Sequence, residues 1–431
     1  MERPRVVITG MGVVTPIGIG VEMYWRAALA GVSGVGLITH FDASGLPSRM
    51  AAYVKDEEAL GRLRSWLGLR PEEPRSVLFA LAAARMACEA AGWLPEVKGN
   101  DRAGVFFGTY GQKVDVTRVA EIAYRSRGRV GREIHLSACL QAYCRSMDGA
   151  QLTCLLPQYV THRLAQAYHI TGPSCTIQTA CTTSAQAVGE AYRSIERGTV
   201  DLAICGGSDC VVLPIQMLMF CLLGVLSRRN HEPERASRPF DLERDGFVLG
   251  EGAGVLILER LERALERGAP ILAELKGYGT SCDAYRVTDE APDGRGAILA
   301  IRRALADAGL SPEDVDYVNA HGTSTSMNDR VETAVLKAVL GKKAYQVPVS
   351  STKSMIGHTI SAAGVIELIT CVLARRDQVV PPTINYEYPD PECDLDYVPN
   401  VARPHKVEVV LSNSFGFGGH NDCLVVTKFS P

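Results

Sequence analysis

The sequence of 431 residues lacks several features that would place it in a specialised class of protein. None of its thirteen cysteines forms a C-x-x-C pair, so neither a zinc motif nor a thioredoxin motif is supported. Lys and Arg number 45 against 48 Asp and Glu, and the net charge of −3 gives no general attraction to nucleic acid. One apolar segment, residues 211–226, falls short of the ~20 residues that a membrane span needs, and Pro214 and Gln216 interrupt it. We therefore predict that the protein binds no nucleic acid, does not enter a membrane, and buries residues 211–226.

The cysteines are scattered along the chain, and their surroundings indicate the redox compartment. Cys88, Cys205 and Cys371 lie among apolar residues, as small core residues do. The chain enters a strand pattern at Val6 without the features of a signal peptide. Because disulfides are rare in the cytosol, we expect reduced thiols and a cytoplasmic location.

What the sequence does contain is the composition of a globular α/β protein, with 46% hydrophobic residues, 22% charged residues and 41 glycines. Strand and helix patterns alternate, and their order restarts near residue 270. The first strand ends in Gly-Met-Gly at residues 10–12, and the strand at residues 271–279 ends in Gly-Tyr-Gly. We therefore predict an α/β fold with an internal duplication, divided into residues 1–269 and 270–431.

The most informative stretch surrounds Cys181. Residues 175–180 have strand character, small residues follow, and residues 185–195 have the apolar spacing of a helix. This pattern predicts a strand, a tight turn that carries Cys181, and a helix. A thiol beside the first turn of a helix meets unpaired N–H groups, which lower its pKa and make it a nucleophile. For a lone cysteine, a small buried residue ahead of an ordinary helix is the alternative.

Two histidines and a lysine follow predicted strands in the second half. His321 comes directly after a strand at residues 315–320, and Lys353 with His358 follows a strand at residues 347–350. Ligands bind at the carboxyl ends of strands in open α/β sheets. The sequence therefore predicts a cluster of these side chains with the cysteine, although each histidine taken alone could equally be structural.

Four short motifs carry these residues and a glycine-rich turn: Thr-Ala-Cys181-Thr-Thr-Ser, Ala-His321-Gly-Thr-Ser-Thr, Lys353-Ser-Met-Ile-Gly-His358 and Asn-Ser-Phe415-Gly-Phe417-Gly-Gly. In this order they resemble the motifs of type II β-ketoacyl-acyl carrier protein synthases. Matches at residues 238–241, 244–250, 378–385 and 393–399 extend the resemblance over nearly the whole chain. The resemblance implies the thiolase fold, in which two duplicated βαβαβαββ halves form α-β-α-β-α layers.

The same resemblance implies a decarboxylating condensing enzyme, an acyltransferase. His358 separates the chain from synthases with a Cys-His-Asn set, and Cys181 separates it from inactive chain-length-factor subunits. A degradative thiolase is disfavoured because its second catalytic cysteine is missing; the nearest candidate, Cys423, does not lie in a thiolase motif.

The resemblance also implies a role for each residue. Cys181 accepts the acyl chain, His321 and His358 stabilise an enolate, and Lys353 holds the histidines through its charge. Phe415 and Phe417 belong to a gating loop, with the Phe417 N–H in the oxyanion hole. The other implied residues are a supporting acidic network around Lys353 (Asp329, Glu332, Glu367) and substrate contacts (Thr323, Thr325, Phe220).

The partners that the resemblance implies are an acyl carrier protein, loaded with either a malonyl or an acyl group, and a second subunit. That subunit is a copy of the chain or a related ketosynthase-like chain. No metal or organic cofactor is implied, since the phosphopantetheine arm belongs to the carrier-protein substrate.

Three features depart from the housekeeping pattern. Residues 216–219 read Gln-Met-Leu-Met where relatives have glycines, Gly224 replaces a carrier-contacting arginine, and residues 112–170 match poorly. We therefore predict a specialised synthase that elongates a polyketide- or polyene-like chain; elongation of long saturated chains is the alternative. The methionines could instead be a repacked core segment.

Other arginines are candidates to replace the missing carrier contact. A basic cluster lies within residues 112–170, and a solvated loop or helix face is its plainer interpretation. The candidates are Arg228, Arg229 and the cluster of Arg125, Arg127, Arg129 and Arg132.

Overall fold

A computed structural model of the protein describes residues 3–95, 99–110, 116–125, 135–146 and 149–430. The strands are β1 Val6–Thr15, β2 Gly18–Ile19, β3 Val35–Leu37, β4 Met50–Ala52, β5 Ala103–Gly108, β6 Ser174–Ile177, β7 Leu202–Cys210, β8 Glu251–Arg260, β9 Ala273–Cys282, β10 Tyr317–Asn319, β11 Val349–Ser350, β12 Val379–Val380, β13 Arg403–Pro404, β14 Val409–Gly416 and β15 His420–Thr427. The helices are α1 Val21–Leu29, α2 Glu57–Leu67, α3 Arg75–Ala90, α4 Val116–Arg125, α5 Leu136–Ser146, α6 Gly149–Cys154, α7 Tyr159–Ala167, α8 Thr183–Glu196, α9 Pro214–Leu223, α10 Leu261–Glu266, α11 Arg295–Ala308, α12 Ser326–Leu340, α13 Lys353–Ile356 and α14 Ala363–Asp377.

The strand order repeats in the two halves of one large sheet. The first half has the order β6-β5-β7-β8-β1, and the second has β11-β10-β14-β15-β9. Numbered within each half, both orders are third, second, fourth, fifth, first, and the strand directions match as well. The halves join where Val6 to Ile8 of β1 pair antiparallel with β9. The predicted α/β class and duplication are therefore confirmed, while the boundary at residues 269 and 270 stays a prediction.

Three apolar clusters give the molecule its layers. Helices α8 and α14 pack between the two half-sheets, α3 covers the outer face of the first, and α11 with α12 covers the outer face of the second. The layers follow α-β-α-β-α, as the resemblance implied. The central helices are buried on nearly every side, which explains why their sequences carry small and apolar residues all round.

The glycines that suggested a duplication have the same packing role in each half. A Cβ at Gly12 of β1 would lie 1.9 Å from the Ala83 carbonyl oxygen of α3. A Cβ at Gly279 of β9 would lie 2.1 Å from the Ala300 carbonyl oxygen of α11. Both contacts are shorter than any real Cβ makes, so only glycine lets the outer helix approach its sheet this closely.

The apolar segment at residues 211–226 differs from the prediction that it is buried. It forms α9, whose Gln216, Met217 and Phe220 are buried. Its other face is exposed, with Leu222 78% and Met219 49% accessible. The prediction was wrong for this face because the chain itself supplies packing partners on one side only. Among the described helices, none has the length and apolar character that crossing a membrane requires.

Two further predictions concern residues 112–170 and the cysteines. The side chains of the basic cluster at residues 125–132 lie outside the described residues, so its role as a docking patch is untested. All thirteen cysteines are among the described residues, and none of them forms a disulfide.

Candidate active site

Cys181 lies at a sharp turn between a strand and a buried helix. Strand β6 ends at Ile177, a 3-10 turn covers Ala180–Thr182, and α8 follows. Ala180 has φ of +52°, in the left-handed region that residues with a side chain seldom adopt. This turn leaves the Cys181 side chain near the amino terminus of α8, with the residue only 7% exposed. The predicted strand, turn and helix are all present.

The second half repeats the same turn. Ile360 has φ of +47°, a 3-10 turn covers Ile360–Ala362, and α14 follows. Here the strained residue orients a ring, because the Ile360 N–H donates to Nδ1 of His358 at 3.2 Å. Each half therefore contributes one turn of the same design to the site.

The two turns and the loop after β10 bring the predicted cluster together. A ligand atom of Cys181, one of His321 and one of His358 all lie within 4.8 Å of one another. The imidazole rings of the histidines are 5.5 Å apart between centroids and nearly perpendicular, at 82°. All three residues are buried, so the polar atoms face a space from which most water is excluded.

The hydrogen bonds of the histidines fix which ring nitrogen carries the proton. His358 Nδ1 accepts from Ile360, so its proton is on Nε2, which is buried and has no hydrogen-bond partner within the described part of the chain. Lys353 Nζ lies 3.4 Å from Nδ1 of His321, which assigns that proton to Nε2 as well. Burial and the charge of Lys353 hold the pKa of both histidines well below the usual range. The site thus has two neutral imidazole N–H donors.

Lys353 is fixed by a buried ion pair. Its Nζ pairs with Glu367 and also donates to the His321 carbonyl oxygen at 2.6 Å. The two side chains of the pair are 2% and 1% exposed. A charge held this firmly beside His321 keeps the imidazole neutral and in one orientation.

Asp329 and Glu332 have different partners from those that the resemblance implied. Glu332 accepts the N–H groups of His321 at 2.9 Å and of the next residue at 2.8 Å. Asp329 accepts the N–H groups of Ser324 at 3.2 Å and of Phe240 at 2.7 Å. It also lies 3.5 Å from the Arg244 guanidinium. Their carboxylates therefore hold the main chain of the His321 loop, whereas Glu367 is the residue that pairs with Lys353.

The protonation of Cys181 also differs from expectation. Burial raises the pKa of the thiol to about 12, although Lys353 and a hydrogen bond from the Phe417 N–H both lower it. The prediction of a lowered pKa was wrong because it weighed the helix end and not the loss of water around the sulfur. The resting nucleophile is therefore a thiol, and it loses its proton only as it reacts.

The glycine-rich turn between β14 and β15 packs against Cys181. Phe417 lies between β14 and β15, and its N–H reaches the cysteine sulfur. A Cβ at Gly416 would lie 3.1 Å from the Cys181 nitrogen, so the turn packs directly against that N–H group. The Phe415 ring lies 5.8 Å from the His321 ring. Two main-chain N–H groups, of Cys181 and Phe417, thus lie beside the sulfur.

Known proteins match this chain over its whole length. Residues 3–264 match the model of the Beta-ketoacyl synthase, N-terminal domain, and residues 272–387 match that of the C-terminal domain. The chain is 43% identical over 430 residues to 3-oxoacyl-[acyl-carrier-protein] synthase 2 of Synechocystis sp., with 100% of this chain and 99% of the relative covered. The chain belongs to the beta-ketoacyl synthase family. It is therefore an acyltransferase of the ketosynthase class.

The synthase is similar to enzymes of more than one pathway. It is 40% identical over 433 residues to the tetracenomycin polyketide synthase ketoacyl synthase alpha subunit of Streptomyces glaucescens, covering 98% of this chain and 97% of that one. The solved ishigamide ketosynthase/chain length factor matches with a TM-score of 0.88 and 37% identity over 100% of both chains. A ketosynthase bound to a type II polyketide acyl-carrier protein matches with a TM-score of 0.86 and 35% identity, covering 99% of this chain and 100% of that one. These neighbours also establish the thiolase fold.

Two cavities meet at Cys181 in the synthase. One has about 680 Å³ of empty space and contains both histidines with Thr323 and Thr325, whose hydroxyls lie 2.9 Å apart. The other has about 530 Å³ and is almost wholly apolar. It is lined by Tyr110, Ala180, Cys181, Gln216, Met219, Phe220, Leu223, Phe247, Ile360 and Phe417. Cys181 lines both cavities, and Phe220 lines the apolar one.

Sequence reasoning missed several residues of the site, including Phe247, Tyr110 and Glu290. Phe247 lines both cavities, and its ring contacts His358 at 5.3 Å and Phe220 at 5.8 Å between centroids. It belongs to the matched segment 244–250, which could have identified it. Tyr110 of the apolar cavity and Glu290 of the polar one lie in loops without a motif, and nothing in their sequence signals a site.

The cluster is poorly suited to a metal ion, although Cys181, His321 and His358 have the spacing of metal ligands. A metal requires the thiolate, and the thiol pKa of about 12 opposes its formation. The Lys353 ammonium also lies 3.4 Å from the His321 ring and repels a second cation. Cys423, the thiolase candidate, is fully buried in the core of the second half.

Proposed function

We propose that the synthase lengthens a carrier-bound acyl chain by two carbons, with Cys181 as the acyl-accepting nucleophile. The observation that carries this proposal is the convergence, within 4.8 Å, of a cysteine with two histidines in a buried space. A thiol supplies the covalent step, and two N–H donors supply charge stabilisation. A nucleophilic thiol combined with two N–H donors fits an acyl transfer followed by a condensation.

In the first step the Cys181 sulfur attacks the carbonyl carbon of an acyl thioester. A carbon–sulfur bond forms to Cys181, the bond to the pantetheine sulfur breaks, and the cysteine proton ends on the released pantetheine thiol. The developing oxyanion is met by the N–H groups of Cys181 and Phe417, which are fixed beforehand because the two turns that carry them pack against each other. The acyl chain then occupies the apolar cavity that Phe220 lines.

In the second step a malonyl thioester enters the polar cavity and loses carbon dioxide. The electron pair of the broken carbon–carbon bond forms an enolate, whose oxygen accepts N–H bonds from His321 and His358. The enolate carbon attacks the acyl group on Cys181, and the cysteine leaves as a thiolate that takes up a proton. Thr323 and Thr325 line the same cavity and are suited to hydrogen-bond the pantetheine arm.

We propose that no metal or organic cofactor takes part. Both steps balance with the Cys181 thiol and the neutral imidazole N–H donors, provided that the Cys181 thiolate released by condensation takes up one proton from water. The phosphopantetheine arm arrives with the carrier protein.

The chain that is elongated is proposed to be specialised, of the polyketide or polyene type. Gln216, Met219 and Leu223 line the acyl cavity, and methionine side chains adapt to irregular ligands. Relatives named for tetracenomycin and ishigamide support this choice, while those named 3-oxoacyl-[acyl-carrier-protein] synthase 2 support ordinary fatty acids.

The proposed partners are an acyl carrier protein and a second ketosynthase-like subunit, in the cytoplasm. The edge strand β6 is partly exposed, and α9 exposes an apolar face, as surfaces for pairing do. A neighbour named as a ketosynthase/chain length factor supports a heterodimer. Thirteen cysteines without a disulfide suit a reducing compartment.

The test of the function is intact-protein mass spectrometry after mixing with acyl-carrier protein, followed by addition of malonyl-carrier protein. We expect a covalent acyl adduct in the first stage and a carrier-bound product two carbons longer in the second. Elongation activity measured on a panel of unsaturated and saturated primers distinguishes a specialised pathway from ordinary fatty-acid synthesis. Equal activity on saturated C8 to C14 chains would contradict the specialised function, and the absence of any adduct would contradict the enzyme mechanism.

Replacing His358 by alanine is expected to slow condensation by about 10²–10³-fold, because one preorganised donor to the enolate is lost. Acyl loading of Cys181 should change by only a few-fold, since that step uses main-chain donors. Single-turnover assays of the two half-reactions separate these effects. His405→Ala is the control, as that ring contacts the Asp316 carbonyl oxygen and lines neither cavity. Equal loss of both half-reactions would argue against the assignment.

The carrier protein is proposed to dock at Arg228 and Arg49, which are both exposed and form no ion pair within the described part of the chain. Arg228 lies three residues after Val225, which lines the polar cavity. Asn230 connects the main chains of the two arginines: its side chain accepts the Arg49 N–H at 2.7 Å, and its own N–H donates to the Arg228 carbonyl oxygen at 2.7 Å. Arg229 is less suitable because Glu243 already pairs with it at 3.3 Å.

Arg228→Glu is therefore expected to raise the KM for carrier-bound substrates by about tenfold, the equivalent of about 1.4 kcal/mol. Activity with the same acyl group on free pantetheine should be unchanged. Arg302→Glu, a charge reversal on the exposed face of α11, serves as the matched control. If Arg228→Glu and Arg302→Glu affect the KM alike, the docking patch lies elsewhere.

A further inference from the structure

One acidic side chain in the active-site cavity has no role in the proposed mechanism. Glu290 lines the polar cavity together with Cys181, His321 and His358. It is half-buried, and its field raises the pKa of the Cys181 thiol. An ionised carboxyl group in this cavity would repel the malonyl carboxylate that the proposed function places there.

The segment that carries Glu290 is held on both sides. The Ala291 N–H donates to the Asp283 carboxylate at 2.9 Å. On the other side, the Val287 carbonyl oxygen accepts the N–H of Gly418 at 2.6 Å. The second bond ties the segment to the turn whose Phe417 N–H reaches Cys181. The position of Glu290 in the cavity is therefore fixed relative to the nucleophile.

The charged groups around Glu290 come from three elements. Asp283 and Asp289 lie on its own segment, Asp329 and Glu332 lie on α12, and Cys181 lies on the turn before α8. Burial, followed by the four carboxylates, raises the pKa of Glu290 to about 8. The carboxyl is thus mainly neutral at pH 7 and becomes an anion as the pH rises through 8.

The two substrates of the reaction differ in charge. The malonyl group carries a carboxylate into the polar cavity, whereas the acyl group that loads Cys181 carries none. We propose that Glu290 is a specificity-determining residue, which admits the malonyl carboxylate when neutral and repels it when ionised, without affecting the uncharged acyl substrate. This inference rests on the proposed function, because it requires a malonyl substrate.

The test is the pH dependence of the KM for malonyl-carrier protein and for acyl-carrier protein, measured between pH 6.5 and 9.5. In the wild-type enzyme we expect the malonyl KM to rise about tenfold above pH 8, as expected for like charges a few ångströms apart in a partly desolvated site. The acyl KM should stay level, and because both substrates use the same carrier, effects of pH on docking cancel. In Glu290→Gln the malonyl KM should also stay level. Asp293→Asn removes an exposed carboxylate of the same segment that lines neither cavity, and it should keep the wild-type profile.

Several outcomes would overturn the inference. One is a wild-type malonyl KM that does not rise relative to the acyl KM, a result that needs no variant to fold. Another is a Glu290→Gln profile identical to that of the wild type, or the loss of the rise in Asp293→Asn instead. If the wild-type enzyme forms no extended product at any pH, the proposed function fails, and this inference fails with it. Condensation with an unchanged profile in Glu290→Gln would overturn the inference alone.

Discussion

The Cys181→Ala variant is expected to form no acyl adduct, and its condensation activity is expected to fall to background, a loss on the order of 10⁶-fold as for removal of other nucleophiles. This result is expected because, among the described residues, no other thiol lines either of the two cavities that meet at Cys181. The substitution removes one buried atom and leaves the turn, with its strained Ala180, in place. The variant should therefore fold and still bind the carrier protein.

Intact-protein mass spectrometry with acyl-carrier protein measures this loss directly. Cys175→Ala is the matched control, since Cys175 is an exposed cysteine only six residues earlier. We expect the control to gain the full acyl mass. An adduct that persists in Cys181→Ala but disappears in Cys175→Ala would show that the nucleophile had been misassigned.

Replacing Lys353 by methionine should lower the free energy of unfolding by about 3–5 kcal/mol, because it leaves the Glu367 carboxylate buried without its partner. Methionine keeps much of the length of lysine, so little volume is lost. Adding Glu367→Leu to the variant should recover much of the stability, since a buried pair replaced by apolar groups costs little. Activity should stay low in both variants, because His321 loses the cation that orients its ring.

Urea-induced unfolding measures this difference. Arg62→Met is the control: Arg62 and Glu58 form an ion pair on the exposed surface of α2, with side chains 63% and 85% accessible. Such pairs contribute about 0.5 kcal/mol at most. Unfolding midpoints that coincide for Lys353→Met and Arg62→Met would mean that the buried pair is not what stabilises the site.

The sequence was sufficient to predict the fold and to predict that Cys181, His321, His358 and Lys353 lie close together. Strand ends and glycine-rich turns have local signatures, and the strand, turn and helix predicted around Cys181 are all present. The duplicated order followed from matching patterns in the two halves. These features are local, so a short stretch of sequence is enough to predict each of them.

What could not be predicted depends on tertiary surroundings. The direction of the Cys181 pKa shift is set by loss of water, which a strand–turn–helix pattern does not reveal. The exposure of Leu222 depends on which neighbours α9 lacks. The partners of Glu332 are main-chain groups of the His321 loop, and no sequence pattern specifies a carboxylate for that position. Glu290 likewise faces the site only because its loop is tied to the glycine-rich turn.

The matched turns at Ala180 and Ile360 have a consequence for how the molecule is organised. Both are followed by a buried helix of the central layer, and their middle residues are Cys181 and Ser361. The synthase therefore resembles two copies of one fold joined in a single chain. The backbones of the two turns match, whereas their side chains differ. Ser361 lines neither cavity and packs against Gly207, so a thiol there would meet no substrate. One turn carries the reacting sulfur, and the other carries the N–H group that orients His358.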